Sequence, residues 1–157
     1  PIDIDISKLE AGQLVRVLWR KKPVWIFMRD EKALDALNSD ELIKSLDDPD
    51  GTGNSKNQQP SYVTSNFRSI KNKESVAVIV GVCTHLGCSP TYRPEPGAAD
   101  LGGDSWPGGF YCPCHGSKFD LAGRVYAGVP APTNLVIPHY RYLSDSLIRI
   151  GVDPEIT

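Results

Sequence analysis

No stretch of this sequence stays apolar for long. The longest apolar run, Val76 to Cys83, falls far short of the roughly 18 residues a membrane-spanning helix needs, which excludes such a helix within the chain. The opening Pro1-Ile2-Asp3-Ile4-Asp5 has neither the basic start nor the apolar stretch of a secretory signal. A natural protein does not begin with proline, so the chain reads as a fragment whose upstream targeting or anchoring residues are missing. Neither sign of charge predominates. The 17 basic and 19 acidic residues leave a net charge of −2, with no broad attraction to nucleic acid or to an anionic membrane. Internal repeats and low-complexity tracts are absent. Cysteine is also scarce: four in 157 residues is too few for a disulfide scaffold.

What remains is an ordinary globular composition, 40% hydrophobic and 23% charged, with length enough for one domain and its own core. Leu14 to Trp19 reads as a strand, Arg20 to Pro23 as a turn, and Val24 to Met28 as the antiparallel return strand. Between Glu31 and Leu46 the apolar period changes to that of one or two short helices, the second capped by Ser39. Asp48-Pro49-Asp50-Gly51 ends the helical stretch, and the polar residues Gly51 to Ser61 are expected to form an exposed loop. Val76 to Val82 is apolar on both alternating faces, as a strand buried on both sides would be. The proline- and glycine-rich stretch Ser89 to Gly109 is expected to lack regular structure. Lys118 to Tyr126 reads as a hairpin turning at Ala122-Gly123. Leu135 to Ile137, Tyr140 to Leu143 and Leu147 to Ile150 read as closing strands. Trp19, Trp25 and Trp106 are read as packing residues, Arg20-Lys21-Lys22 as a solvated turn, and His139 as an ordinary surface residue.

All four cysteines and two of the three histidines fall in two short loops, Cys83-Thr84-His85-Leu86-Gly87-Cys88 and Cys112-Pro113-Cys114-His115-Gly116-Ser117. Such clustering marks a site. A four-coordinate centre has several candidate ligand sets here: Cys83, His85, Cys112 and His115, or all four cysteines, or fewer. The spacing does not match a Cys₂His₂ zinc finger, whose cysteines and histidines come in like pairs. A four-cysteine cluster is awkward, because only one residue separates Cys112 from Cys114. Mixed Cys-x-His and Cys-x-x-His pairs suit a [2Fe–2S] centre in which two imidazoles replace two thiolates. The exchange makes the site less negative and raises its potential.

The two loops resemble the cluster-binding boxes of the Rieske iron–sulfur subunits of cytochrome bc1 complexes, most closely of proteobacterial type. Gly128-Val129-Pro130-Ala131-Pro132 is similar to that family's proline loop. The resemblance covers Pro60 to Val152 well and the Val15–Met28 hairpin acceptably, whereas residues 31–59 carry no signal of role. It implies a mainly β fold. An antiparallel base domain, residues 1–80 and 133–157, would carry an inserted cluster-binding subdomain, residues 81–132, and one or two short helices.

The same resemblance implies one [2Fe–2S] cluster per chain. Cys83 and Cys112 would bind one iron, and His85 and His115 the other. Cys88 and Cys114 would form a disulfide, which belongs to an oxidising compartment. Leu86 and Gly87 would lie at the exposed tip, and His115 would hydrogen-bond quinol. The Ser117 hydroxyl would bond a bridging sulfide, and Pro130, Ala131 and Pro132 would shield the cluster. Phe119 departs from the pattern: high-potential members often carry a tyrosine there, bonding a ligand sulfur. The implied function is one-electron transfer from quinol to a c-type cytochrome, coupled to proton release through the histidines. The implied partners are cytochromes b and c1, quinol, and the membrane through the missing anchor. The implied location is the periplasmic face of a bacterial inner membrane, with ubiquinol as the donor. Two other classes share some features. Soluble Rieske ferredoxins and oxygenase components usually lack cysteines corresponding to Cys88 and Cys114, and a zinc-binding structural module would have no redox role.

Overall fold

The computed structural model describes residues 1–154, so positions 155–157 of the expected base domain lie outside the described residues. Its strands form three antiparallel three-stranded sheets. The first contains β1 (Ile2–Asp5), β8 (Tyr140–Ser144) and β9 (Leu147–Ile150), in the order β1-β9-β8. The second contains β2 (Leu14–Trp19), β3 (Lys22–Met28) and β4 (Val76–Val80), in chain order. The third contains β5 (Thr91–Arg93), β6 (Gly109–Tyr111) and β7 (Lys118–Asp120), also in chain order. Two short helices, α1 (Glu31–Leu37) and α2 (Asp40–Lys44), follow β3. The side chains of Asp30 and Ser39 cap them, accepting the Ala33 and Leu42 amides respectively.

The middle sheet is the core. Val24, Trp25, Ile26 and Phe27 of β3 are wholly buried, and every residue of β4 is buried, as the doubly apolar pattern predicted. The β2–β3 connection is tighter than expected. Arg20 and Lys21 both take positive φ, 50° and 63°, making the two-residue loop that matches strand twist. The return strand therefore begins at Lys22, and Pro23 lies inside it, its carbonyl accepting the Gly81 amide at 2.8 Å.

Three other expectations are corrected, and one strand is added. β1 was not anticipated, because two aspartates interrupt its apolar pattern; it pairs along its whole length with β9. Leu135 to Ile137 is extended and largely buried but is not a strand. Its backbone bonds go separately to Gly123, Val80 and Gln58, so no ladder forms. Ser89 to Gly109 contains β5 and two 3₁₀ turns, Ala99–Leu101 and Gly103–Ser105, steadied by Arg93 forked onto Asp100 at 2.8 and 2.9 Å. The polar 51–61 loop is partly turned inward. Ser55 is wholly buried, its hydroxyl accepting the Asn134 amide at 2.8 Å, and Gln58 donates to the Asn134 carbonyl.

Three buried arginines fasten the third sheet to the rest. Arg29 donates to the Leu121 carbonyl and Arg68 to those of Ala122 and Leu135, at 2.7–2.9 Å. Arg124 pairs with Asp120 at 2.7 Å, both side chains fully buried, and donates onward to the Leu37 carbonyl. Burial lowers Arg29 to about 10 and Arg68 to about 9, so both remain charged at neutral pH. The turn after β7, which leads away from the second cysteine loop, is therefore held by guanidinium–carbonyl bonds.

Candidate metal centre

The two cysteine loops have the same backbone construction. In the first, the Cys83 amide donates to the Cys88 carbonyl at 2.7 Å and the Gly87 amide to the Cys83 carbonyl at 3.0 Å. In the second, the Cys112 amide donates to the Ser117 carbonyl at 2.8 Å and the Gly116 amide to the Cys112 carbonyl at 2.9 Å. Each loop closes on itself through a glycine at its fifth position, Gly87 at φ 85° and Gly116 at φ 82°, where residues with a side chain are strained. The shared pattern aligns Cys83 with Cys112 and Cys88 with Ser117. Spacing alone does not show this equivalence, although the common fifth-position glycine is visible in the sequence.

Cys83 and Cys112 are free thiols, each only 2% exposed. Burial first, opposed by hydrogen bonds from the His85 amide and the Ser117 hydroxyl, pushes the Cys83 thiol above its ordinary value; the neighbouring Cys112 adds to the rise. A buried thiol such as Cys83 would be held as a thiolate by positive iron. His85 and His115 meet edge to face, ring centroids 4.8 Å apart at 84°. His85 is half-buried and His115 exposed, so the imidazoles lie toward solvent and the thiols toward the core.

Cys88 and Cys114 are joined in a disulfide spanning 26 residues, with Cα atoms 6.6 Å apart. The sulfurs of Cys88, Cys112 and Cys114 lie within 4.8 Å of one another, yet this trio is no ligand set, because two of the three are tied up in the disulfide. That leaves the free thiols of Cys83 and Cys112, with His85 and His115 beside them, as candidate donors. Two inner sulfurs and two outer nitrogens fit a [2Fe–2S] group with mixed ligation.

The surroundings hold the loops in register. The Ser117 hydroxyl oxygen, wholly buried, accepts the Ala131 amide at 2.9 Å, tying the second loop to the proline loop. Thr84, which sequence reasoning missed, donates its hydroxyl to the Thr133 carbonyl at 2.7 Å, so the first loop is tied to the same segment. Ala131 is buried, whereas Pro130 and Pro132 are exposed, so only the middle residue of the expected shield faces inward. Leu86 is 69% exposed and Gly87 is exposed beside it. Phe119 is wholly buried and pairs with Phe110 across β6 and β7. His139 stands apart from the loops, exposed and paired with Asp153.

A family model described as the Rieske [2Fe-2S] domain matches residues 50–141. The chain is similar to the ubiquinol-cytochrome c reductase iron-sulfur subunit of Allochromatium vinosum, at 57% identity over 153 residues, spanning 98% of this chain and 70% of that protein. It is similar at 37% identity to the subunit of the same description from Bradyrhizobium diazoefficiens, over 96% of this chain and 72% of that protein. Among solved structures, it resembles a chain of a hyperthermophilic respiratory Complex III, at 25% identity and a TM-score of 0.52, over 93% of this chain and 72% of that one.

Proposed function

The chain belongs to the Rieske [2Fe-2S] family, among the iron–sulfur subunits of ubiquinol–cytochrome c reductase, and on that basis we propose that it relays single electrons from quinol to a c-type cytochrome in a respiratory bc1 complex. One observation carries the reading: two buried thiols and two edge-to-face histidines converge from two loops of identical backbone construction. When bound, the cluster accepts and returns one electron at a potential raised by its neutral imidazole ligands.

Cys83 and Cys112 would hold one iron, and His85 and His115 the other. His115, the more exposed imidazole, presents its remaining ring nitrogen to the quinol hydroxyl. That free nitrogen on each histidine would be the atom through which proton uptake is coupled to the electron. Leu86 and Gly87 form the apolar lip against which the quinol site of the partner subunit packs. The Ser117 hydroxyl would donate to a bridging sulfide, while its oxygen holds the Ala131 amide. The Cys88–Cys114 disulfide braces the two loops and suits an oxidising compartment. The partners are cytochromes b and c1, with ubiquinol as donor, on the periplasmic face of a bacterial inner membrane. No helix among the described residues is long and apolar enough to cross a membrane. The anchor in this reading is an upstream segment. Residues 81–132, which contribute all three strands of the third sheet, act as the cluster-binding unit on a base built from the other two sheets.

The test is a titration of the holoprotein's midpoint potential from neutral to alkaline pH. The potential falls as the histidine nitrogens lose their protons, and the reduced protein passes one electron to an oxidised c-type cytochrome. A potential independent of pH contradicts the histidine role.

A further inference from the structure

The two loops share one hydrogen-bond pattern, which makes Cys83 equivalent to Cys112 and therefore Gly81 equivalent to Phe110, each two residues ahead of its cysteine. Those two lead-in positions carry the smallest side chain and a large aromatic one. A single residue of the base sheet occupies the space between them. The Trp25 indole fills the place where a Gly81 side chain would stand: a Cβ there would lie 2.2 Å from Cε2 and 2.5 Å from Nε1 and Cζ2. The same ring stacks on Phe110, with centroids 4.4 Å apart and planes 11° from parallel.

Trp25 is wholly buried, and its N–H finds no acceptor among the described residues. The indole is therefore placed by shape, in spite of the desolvation its unpaired donor carries. Phe110 continues the contact to Phe27 and Tyr92, at 5.4 Å each, so β3 packs directly behind the strand that delivers Cys112. On the other side, the Gly81 amide is bonded to the Pro23 carbonyl, two residues from Trp25 on the same strand. The chain leading into each cysteine loop is thus held against one short piece of β3.

We propose that Trp25 is a positioning residue for the cluster: its ring is the spacer that sets the separation of the two cysteine loops, and with it the cluster's retention and potential. The proposal rests on the assignment of Cys83 and Cys112 as iron ligands. Close packing transmits a displaced ring to its neighbours, because the interior has no slack to absorb it.

The experiment compares wild-type holoprotein with Gly81→Ala, Trp25→Phe, Trp25→Leu and the double variant Gly81→Ala/Trp25→Phe. Iron content, the electron paramagnetic resonance g-values of the reduced protein, midpoint potential and the rate of cluster loss to a chelator are read, with circular dichroism as the folding control. Gly81→Ala forces the indole aside and loses its cluster faster, on the order of tenfold. Trp25→Phe keeps a ring on Phe110 and stays near wild type, whereas Trp25→Leu shifts both g-values and potential. The double variant, in which the smaller ring makes room for the new methyl, regains what Gly81→Ala lost. Wild-type g-values and potential in both Gly81→Ala and Trp25→Leu overturn the proposal, as does a double variant no better than Gly81→Ala. If Gly81→Ala does not fold, the contrast between Trp25→Phe and Trp25→Leu decides alone. A wild-type protein without a Rieske signal contradicts the ligand assignment itself, a different failure from that of the spacer.

Discussion

The Ser117 hydroxyl oxygen accepts the Ala131 amide at 2.9 Å, so a buried side chain of the second cysteine loop carries the backbone of the proline loop. In the proposed function the same hydroxyl also donates to a bridging sulfide of the cluster. Ser117→Ala removes both bonds. Leaving the Ala131 amide buried without a partner costs about 1–3 kcal/mol, measurable by denaturant unfolding of the holoprotein. Losing a donor to sulfur lowers the midpoint potential in voltammetry. An unchanged potential would mean that the hydroxyl serves only the proline loop.

The Cys88–Cys114 disulfide closes a 26-residue separation over two glycine-rich loops. Replacing both cysteines by serine lowers stability by about 3.5 kcal/mol on the chain-entropy argument. Because the sulfurs of the bridge lie beside Cys112, the variant also loses its cluster sooner on incubation with a chelator. A melting curve and cluster lifetime equal to wild type would show that the loops need no brace.

Phe119 is buried and lacks the hydroxyl that a tyrosine would bring to the same place. Phe119→Tyr raises the midpoint potential, since each hydrogen bond to a cluster sulfur stabilises the more negative, reduced state. A film-voltammetry titration that finds no rise would remove this position from the account of how the potential is tuned.

Asp120 is the carboxylate paired with Arg124, and neither side chain touches solvent. Its other oxygen accepts the amides of Ala122 and Arg124 at 2.9 Å. Asp120→Asn leaves a buried guanidinium without its counter-charge and destabilises by about 3–5 kcal/mol in urea unfolding. A smaller loss, within the range of a surface substitution, would show that the carbonyl partner Leu37 suffices for Arg124.

How much of this was legible in the sequence depended on the residue. β4 and the β2–β3 hairpin were readable because their apolar runs are long relative to the strands. The short helices were readable from period and from Ser39. β1 was hidden by Asp3, which pairs with Arg149 across the sheet, a partner 146 residues away. Leu135 to Ile137 has strand composition without a ladder, since its backbone serves three separate partners. The inward turn of Ser55 and Gln58 was invisible because polar side chains satisfied by distant backbone look, in sequence, like solvated ones. The gathering of six cysteine and histidine positions into two loops was readable from spacing, whereas the Cys88–Cys114 pairing came only from the family resemblance. Thr84 was not, and Trp25 was legible as a packing residue but not as the partner of Phe110, because the contacts to Thr133 and Phe110 exist only in the folded chain.

The most direct test of the central claim is electron paramagnetic resonance of the dithionite-reduced holoprotein, set beside metal analysis, for wild type and Cys83→Ser. The account predicts a Rieske-type [2Fe–2S] signal with iron in the wild type, and its loss in the variant. A silent spectrum with zinc in place of iron, or an undiminished signal without Cys83, would contradict it.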